Sequence, residues 1–149
     1  MNNSISLKDN QFFKDLNPEF LELLSENATE KEFNTHDYLF YEGEPANNFF
    51  LVKSGSVSVQ VFGGELGFIN IETITPGQIV GWTWLLHPYK WFFSGEATCL
   101  TKTLSFDAVK LREICDENVD LGFEISRILI KISAERLKMT RSKLMKYVD

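Results

Sequence analysis

Three tryptophans, Trp82, Trp84 and Trp91, crowd into ten residues, alongside Tyr89, Phe92 and Phe93. Rings gathered this closely can stack a planar or apolar ligand, or they can interlock as solid core. Bond-making chemistry is harder to find. The two histidines, His36 and His87, fall in a turn and before Pro88, and neither has a partner at metal-ligand spacing. The two cysteines, Cys99 and Cys115, form no CxxC and no disulfide framework. Cys99 lies in a strand-like pattern and Cys115 in a helical one, so both are expected to be inert core thiols. Carboxylates are numerous but dispersed, which leaves no acid–base pair. Gly63-Gly64 reads as a hairpin rather than a phosphate loop. No catalytic residue, metal site or cofactor is expected, and the protein is expected not to be an enzyme.

The elements that must hold the aromatic stretch can be read from periodicity. A helical pattern of Leu16, Phe20, Leu21, Leu23 and Leu24 starts at Asn17-Pro18, with Phe12-Phe13 upstream as a short docking turn. The N-terminal helix is expected over about 12–28. From about 30 to 106 the signal changes to short strands broken by turns. Tyr38–Tyr41 runs into Glu42-Gly43-Glu44-Pro45, and Phe49–Val52 ends at Ser54-Gly55. Val57, Val59 and Val61 alternate with polar residues, and the run from Phe68 to Ile74 reaches Pro76-Gly77. Residues 107–147 are expected to be helical, with Asn118 or Asp120 capping a long helix of about 40 Å. Leu121, Ile125, Ile128 and Ile132 mark one face of that helix. Ile130, Ala134, Leu137, Arg141, Leu144 and Val148 mark a narrower seam that asks for a partner helix.

The bulk composition narrows the class of partner. A chain of 149 residues with 44% hydrophobic side chains and 13 Phe can bury one aromatic core, so residues 1–149 are read as a single domain. The net charge is −6, yet seven of the 15 Lys and Arg lie beyond residue 120. The body is therefore acidic, which argues against a general nucleic-acid surface, and the basic tail reads as a solvated helix face. No apolar run approaches the ~20 residues of a membrane span. Met1-Asn2-Asn3-Ser4 does not open a signal peptide, and a cytoplasmic protein is expected.

The order of helix, short strands and long helix resembles the cyclic-nucleotide-binding domain of catabolite-activator-type regulators. The resemblance spans about residues 12–145. It rests on Phe12-Phe13, Tyr41-Glu42-Gly43-Glu44-Pro45, Phe49-Phe50-Leu51-Val52-Lys53-Ser54-Gly55-Ser56-Val57 and Ile74-Thr75-Pro76-Gly77-Gln78-Ile79-Val80-Gly81. It implies an α+β fold: a double-stranded, jelly-roll-like β-roll of about eight strands, flanked by an N-terminal helix and C-terminal helices. It also implies a cassette after Gly77 whose backbone N–H groups cradle a cyclic phosphate. The family cassette runs Phe-Gly-Glu-Leu-Ala-Leu-Leu and later supplies an Arg. Here the sequence is Val80-Gly81-Trp82-Thr83-Trp84-Leu85-Leu86, so Trp82 replaces the ribose-binding Glu. The phosphate-binding Arg falls at Trp91 or Phe92, and Lys90 is the nearest cation.

A small ligand, whether a cyclic nucleotide or a non-standard molecule, is accordingly expected against Val80, Gly81, Trp82, Thr83, Trp84, Lys90, Trp91, Phe92, Phe93 and Ser94. The other reading is a degenerate domain, its pocket filled by its own rings, that serves as a dimerisation or docking scaffold. The resemblance also implies a homodimer through the long helix, at Ile130, Leu137 and Leu144, with Thr140 or Arg141 near the ligand. A protein partner receives the signal in this reading. The family's transcription factors continue into a helix-turn-helix where this chain ends at Asp149, so direct sequence-specific DNA binding is not expected.

Overall fold

The computed structural model describes residues 7–146. Two four-stranded antiparallel sheets make the β-roll. One has the order β1 (Ala28–Phe33), β8 (Thr101–Asp107), β3 (Asn48–Ser54), β6 (Ile79–Val80). The other has the order β2 (Tyr38–Phe40), β7 (Ser94–Ala97), β4 (Val57–Phe62), β5 (Phe68–Ile74). Helices α1 (Pro18–Glu26), α2 (Ala108–Glu117) and α3 (Val119–Met145) complete the α+β fold.

The first helix is shorter than its apolar pattern. Asn17 accepts a hydrogen bond from the Glu19 amide, and Pro18 fixes the first helical position, so the helix cannot start earlier. Phe12, Phe13 and Leu16 still dock, but from a turn that is tied to the roll by Asn10 Nδ2 donating to the Gly77 carbonyl. At the other end Ala28 already pairs with Phe106, so strand replaces the expected last turn of helix.

Strand β3 explains how two separate apolar layers form. Its run Phe49-Phe50-Leu51-Val52 is buried on both faces. Phe50 points into the roll, against Phe33 and against Phe40 of the opposite sheet. Phe49 points outward, stacked on Phe106 and Trp84 beneath the helices. Strand pairing sets the interior of the second sheet in the same way: Val57, Ile74 and Ala97 share one face, and so do Val59, Glu72 and Gly95. Between Val59 and Gln60 the register slips by one residue, and the bulge absorbs Ile71. Glu72, two residues from Ile74 on the regular side of the slip, keeps the inward face.

The turn between β3 and β4 needs glycine. Gly55 has φ +89°, and a Cβ there would come within 2.5 Å of Thr101 Oγ1. Helix α3 is two-faced, as its sequence stripes require. Leu121, Ile125 and Ile132 are buried, whereas Phe123, Ile130, Leu137 and Leu144 are exposed along the opposite side. Near its end Lys143 Nζ donates to the carbonyl and side-chain oxygens of Asn70, at 2.8 and 2.9 Å, which covers the outer edge of β5.

Trp84 is 1% exposed and packs with Phe49, Ile125 and Ile132 around only about 10 Å³ of free space, and its indole N–H has no partner. Substitution there separates packing from hydrogen bonding. In chemical denaturation Trp84→Ala is expected to cost about 3–5 kcal/mol. Trp84→Phe, which removes an unused donor, is expected to cost about 1 kcal/mol. Equal losses would contradict this packing.

Candidate functional site

Residues 81–93 form an irregular loop between β6 and β7, pinned from two sides. Its returning limb hydrogen-bonds to the turn after β2: Gly43 N to the Trp91 carbonyl (2.8 Å), Ala46 N to that of Tyr89 (2.7 Å), and Trp91 N to that of Glu44 (3.0 Å). From α2, Arg112 Nη1 donates to the carbonyls of Ala46 (2.9 Å) and Trp84 (2.5 Å), with its guanidinium 4.5 Å from the Tyr89 ring centre. A loop without regular structure is held in one shape by these contacts.

The three indoles separate. Trp84 lies outside the roll, under the helices. Trp91, 3% exposed, turns into the roll, stacks on Phe40 at 4.4 Å and lies against the backbone of Gly81. Gly81 has φ +85°, and a Cβ would meet the Trp91 ring at 2.5 Å, so the glycine is required for both conformation and clearance. Trp82 is only partly buried. It stacks on Phe93 at 4.6 Å and faces α3. Val80, Phe93 and Ser94 are buried, and Ser94 Oγ accepts from the Glu42 amide at 2.9 Å. Thr83 is partly buried, with its hydroxyl enclosed and unpartnered. Lys90 and Phe92 are exposed, Lys90 beside Pro45. Of the residues singled out in the sequence, Trp82 and Thr83 thus line the gap to α3, whereas Trp84, Trp91 and Phe93 are core.

An open groove of about 320 Å³ separates the loop from the helix. Trp82, Thr83, Leu85 and Leu86 line one wall, and Ser126, Leu129, Ile130 and Ser133 the other. No charged side chain lines it, and its polar side chains are three hydroxyls.

The charge sits deeper. Arg136, 3% exposed, reaches from α3 into the roll, where its Nη1 donates to Glu72 and its Cζ lies 5.6 Å from the Trp82 ring centre. Burial pushes the Glu72 carboxyl up, and Arg136 and Lys143 pull it down only in part. Arg136 Nε and Nη2 are enclosed without a partner. Sequence reasoning placed Thr140 or Arg141 near the ligand. Both are exposed, and the inward residue is Arg136 instead. Its signal is positional: it follows Ile132 by four residues on the stripe Leu121, Ile125, Ile132, where an apolar side chain belongs.

The other reactive side chains stand apart. His36 bonds Glu96 on the surface at 3.0 Å, and His87 is exposed. No group of three or more His, Cys, Asp or Glu able to hold a metal occurs among the described residues. No helix among them is long and apolar enough to cross a membrane.

The architecture defines a β-roll domain whose 81–93 loop packs against a C-terminal helix. The model of the cyclic nucleotide-binding domain family matches residues 30–118, more than half of the chain. The chain belongs to that family. A Geobacter metallireducens protein assigned to cyclic nucleotide binding superposes with a TM-score of 0.83 at 26% identity, over 92% of this chain and 99% of that one. A cyclic nucleotide-binding domain from Methylobacillus flagellatus gives 0.80 at 17% identity, over 97% and 82%. The regulatory subunit of a cAMP-independent protein kinase A from Trypanosoma brucei, a mutant bound to cAMP in the A site, gives 0.75 at 21% identity, over 94% and 49%. The latter two likenesses show the fold. A search of curated protein sequences gives no match.

One expectation is corrected by these positions. Cys99 is not a core thiol: it is exposed in the turn between β7 and β8, because Ala97 ends one strand and Thr101 starts the next. Slight desolvation raises its pKa, but hydrogen bonds involving Ser56, Thr98 and Thr101 outweigh this and hold the thiol below its ordinary value. Cys115 is buried in α2, and burial, with Asp116, pushes it up to about 11. Thiolate content rises with pH through each pKa, so Cys99 ionises first. In the folded protein near pH ~8, a disulfide reagent is expected to titrate one thiol rapidly, and Cys99→Ser to abolish that phase. Equal rates for both thiols would contradict the assignment.

Proposed function

We propose that this domain is a non-catalytic sensor that binds a small ligand between the cassette loop and α3 and signals through that helix. The observation that carries the reading is the open groove between Trp82, Thr83, Leu85 and Leu86 and the face of α3. Its volume falls at the lower end of the small-molecule range of ~300–1,000 Å³. An ordinary cyclic nucleotide is poorly provided for, because the cassette offers neither a ribose-binding carboxylate nor a phosphate-binding arginine. Such charge-assisted contacts contribute ~1.5–3 kcal/mol each.

The output follows from the helix's second face. Phe123, Ile130, Leu137 and Leu144 are exposed at intervals of seven residues, the repeat of a two-helix seam, with Ser126, Ser133 and Thr140 beside them. A second copy of the same helix fits this seam because the spacing is self-complementary along a two-fold axis. Ile130 belongs to both the groove and the seam, so a ligand that moves it alters dimer packing. A protein partner reading the dimer completes the regulatory role.

The burial of Trp84 and Trp91 supports a second reading, in which the rings complete the core and the domain is a dimerisation scaffold. The two are separated by thermal shift against cyclic mono- and dinucleotides and small planar molecules, with sedimentation velocity run in parallel. A ligand at 100 times its Kd is expected to add about 2.7 kcal/mol of stability. Leu85→Trp, which fills the groove, is expected to remove that response, and Leu137→Glu to convert a dimer into monomer. A flat response across the panel with dimer intact favours the scaffold. A monomeric wild type contradicts both.

A further inference from the structure

We infer that Arg136 of α3 is the anion-binding residue of this domain, and that Glu72 is an internal anion which a small carboxylate- or phosphate-bearing molecule displaces. The inference rests on the sensor reading and adds to it the chemical class of ligand and the residue that recognises it.

A guanidinium carries five N–H donors, and a buried one is stable only when a charge and acceptors face it. Arg136 has the charge, from Glu72, but not the acceptors. Its Nη1 serves Glu72 and lies 3.6 Å from the Met139 sulfur, whereas Nε and Nη2 are enclosed and bonded to nothing. One carboxylate oxygen therefore occupies a group built to hold a forked, two-oxygen partner. The Trp82 ring, itself stacked on Phe93, lies beneath the guanidinium and holds it by a cation–π contact.

Access and charge agree with this assignment. Glu72 lines an open groove of about 640 Å³ between β5 and α3, whose helical wall carries Lys138, Lys143 and Lys146. Those lysines raise the local concentration of an anion approaching Glu72, against a single opposing carboxylate on the wall, Glu135. In the cassette, by contrast, Lys90 is exposed at the Pro45 bridge and Arg112 is committed to two carbonyls. The inward-facing cation thus comes from the helix. An anion that replaced Glu72 would break the buried tie between β5 and α3, leaving that of Lys143 to Asn70, and make its own contact with the helix, which links occupancy to helix position.

The test uses inorganic phosphate and acetate as probes, titrated at constant ionic strength against chloride, with melting temperature and calorimetry as readouts. Glu72→Gln keeps the shape of the side chain but removes the competing charge, and is expected to lower the phosphate midpoint about tenfold or more relative to wild type. Arg136→Gln is expected to abolish saturable binding. Because either single change leaves a buried group unmatched, the double variant Glu72→Gln/Arg136→Gln serves as the folded neutral control and is expected to show no response. A double variant that responds like Glu72→Gln, or a Glu72→Gln midpoint equal to wild type, overturns the inference. If no molecule of the broader panel binds wild type while Glu72→Gln still titrates through Arg136, the sensor reading fails and the anion site stands. If a panel ligand binds wild type and the double variant equally, the sensor reading stands and the anion site fails.

Discussion

A buried arginine cannot be left without a countercharge, and the arrangement of this domain follows from how Arg136 meets that requirement. Desolvating a guanidinium and a carboxylate costs several kcal/mol per ion, so the Arg136–Glu72 pair contributes little to net stability. It contributes geometry. Breaking the pair would strand a charge, so α3 must lie where its side chain reaches β5, and β5 must present Glu72 inward. The bulge beside Val59 and the Lys143 bonds to Asn70 serve the same alignment. The long helix is therefore fixed to the roll by the buried Arg136–Glu72 contact, by Lys143 on Asn70 near its end, and by apolar contacts of Leu121, Ile125 and Ile132 before them.

Around that contact the roll has been filled with rings. Phe33, Phe40, Phe50, Trp91 and Phe93 occupy its interior, and Phe49, Phe106 and Trp84 form the second layer beneath the helices. The 81–93 loop contributes apolar surface and the partly buried Trp82, whereas the inward-facing cation, Arg136, comes from α3. In the proposed reading, ligand recognition and helix position act through that residue.

Much of the fold was legible because its signals are local. Pro18, the double-sided apolar run at Phe49–Val52 and the turn glycines each act within a few residues of themselves, and the count of about eight strands came with the family resemblance. The candidate site was less legible, for physical reasons. Trp82, Trp84 and Trp91 look alike in sequence, but they lie in a loop with no repeat to assign their faces, and they go to three different places. Arg136 reads as a solvated charge unless the apolar stripe is followed one step further. Glu72 reads as the polar side of a strand, because the slip at Ile71 breaks the alternation that would set it on the face of Ile74. Cys99 fits a strand pattern that a tight turn interrupts. For the tryptophans and Glu72 the deciding contact is distant in sequence, and no local rule reports it.

The central claim is that Arg136 and Glu72 act on one another inside the roll rather than as two independent polar groups. A double-mutant cycle measures this directly, by chemical denaturation of wild type, Glu72→Gln, Arg136→Gln and the double variant. The account requires a coupling energy well above ~0.5 kcal/mol, with the double variant more stable than the sum of the single losses implies. Additive losses would mean that the two side chains do not meet, and would contradict it.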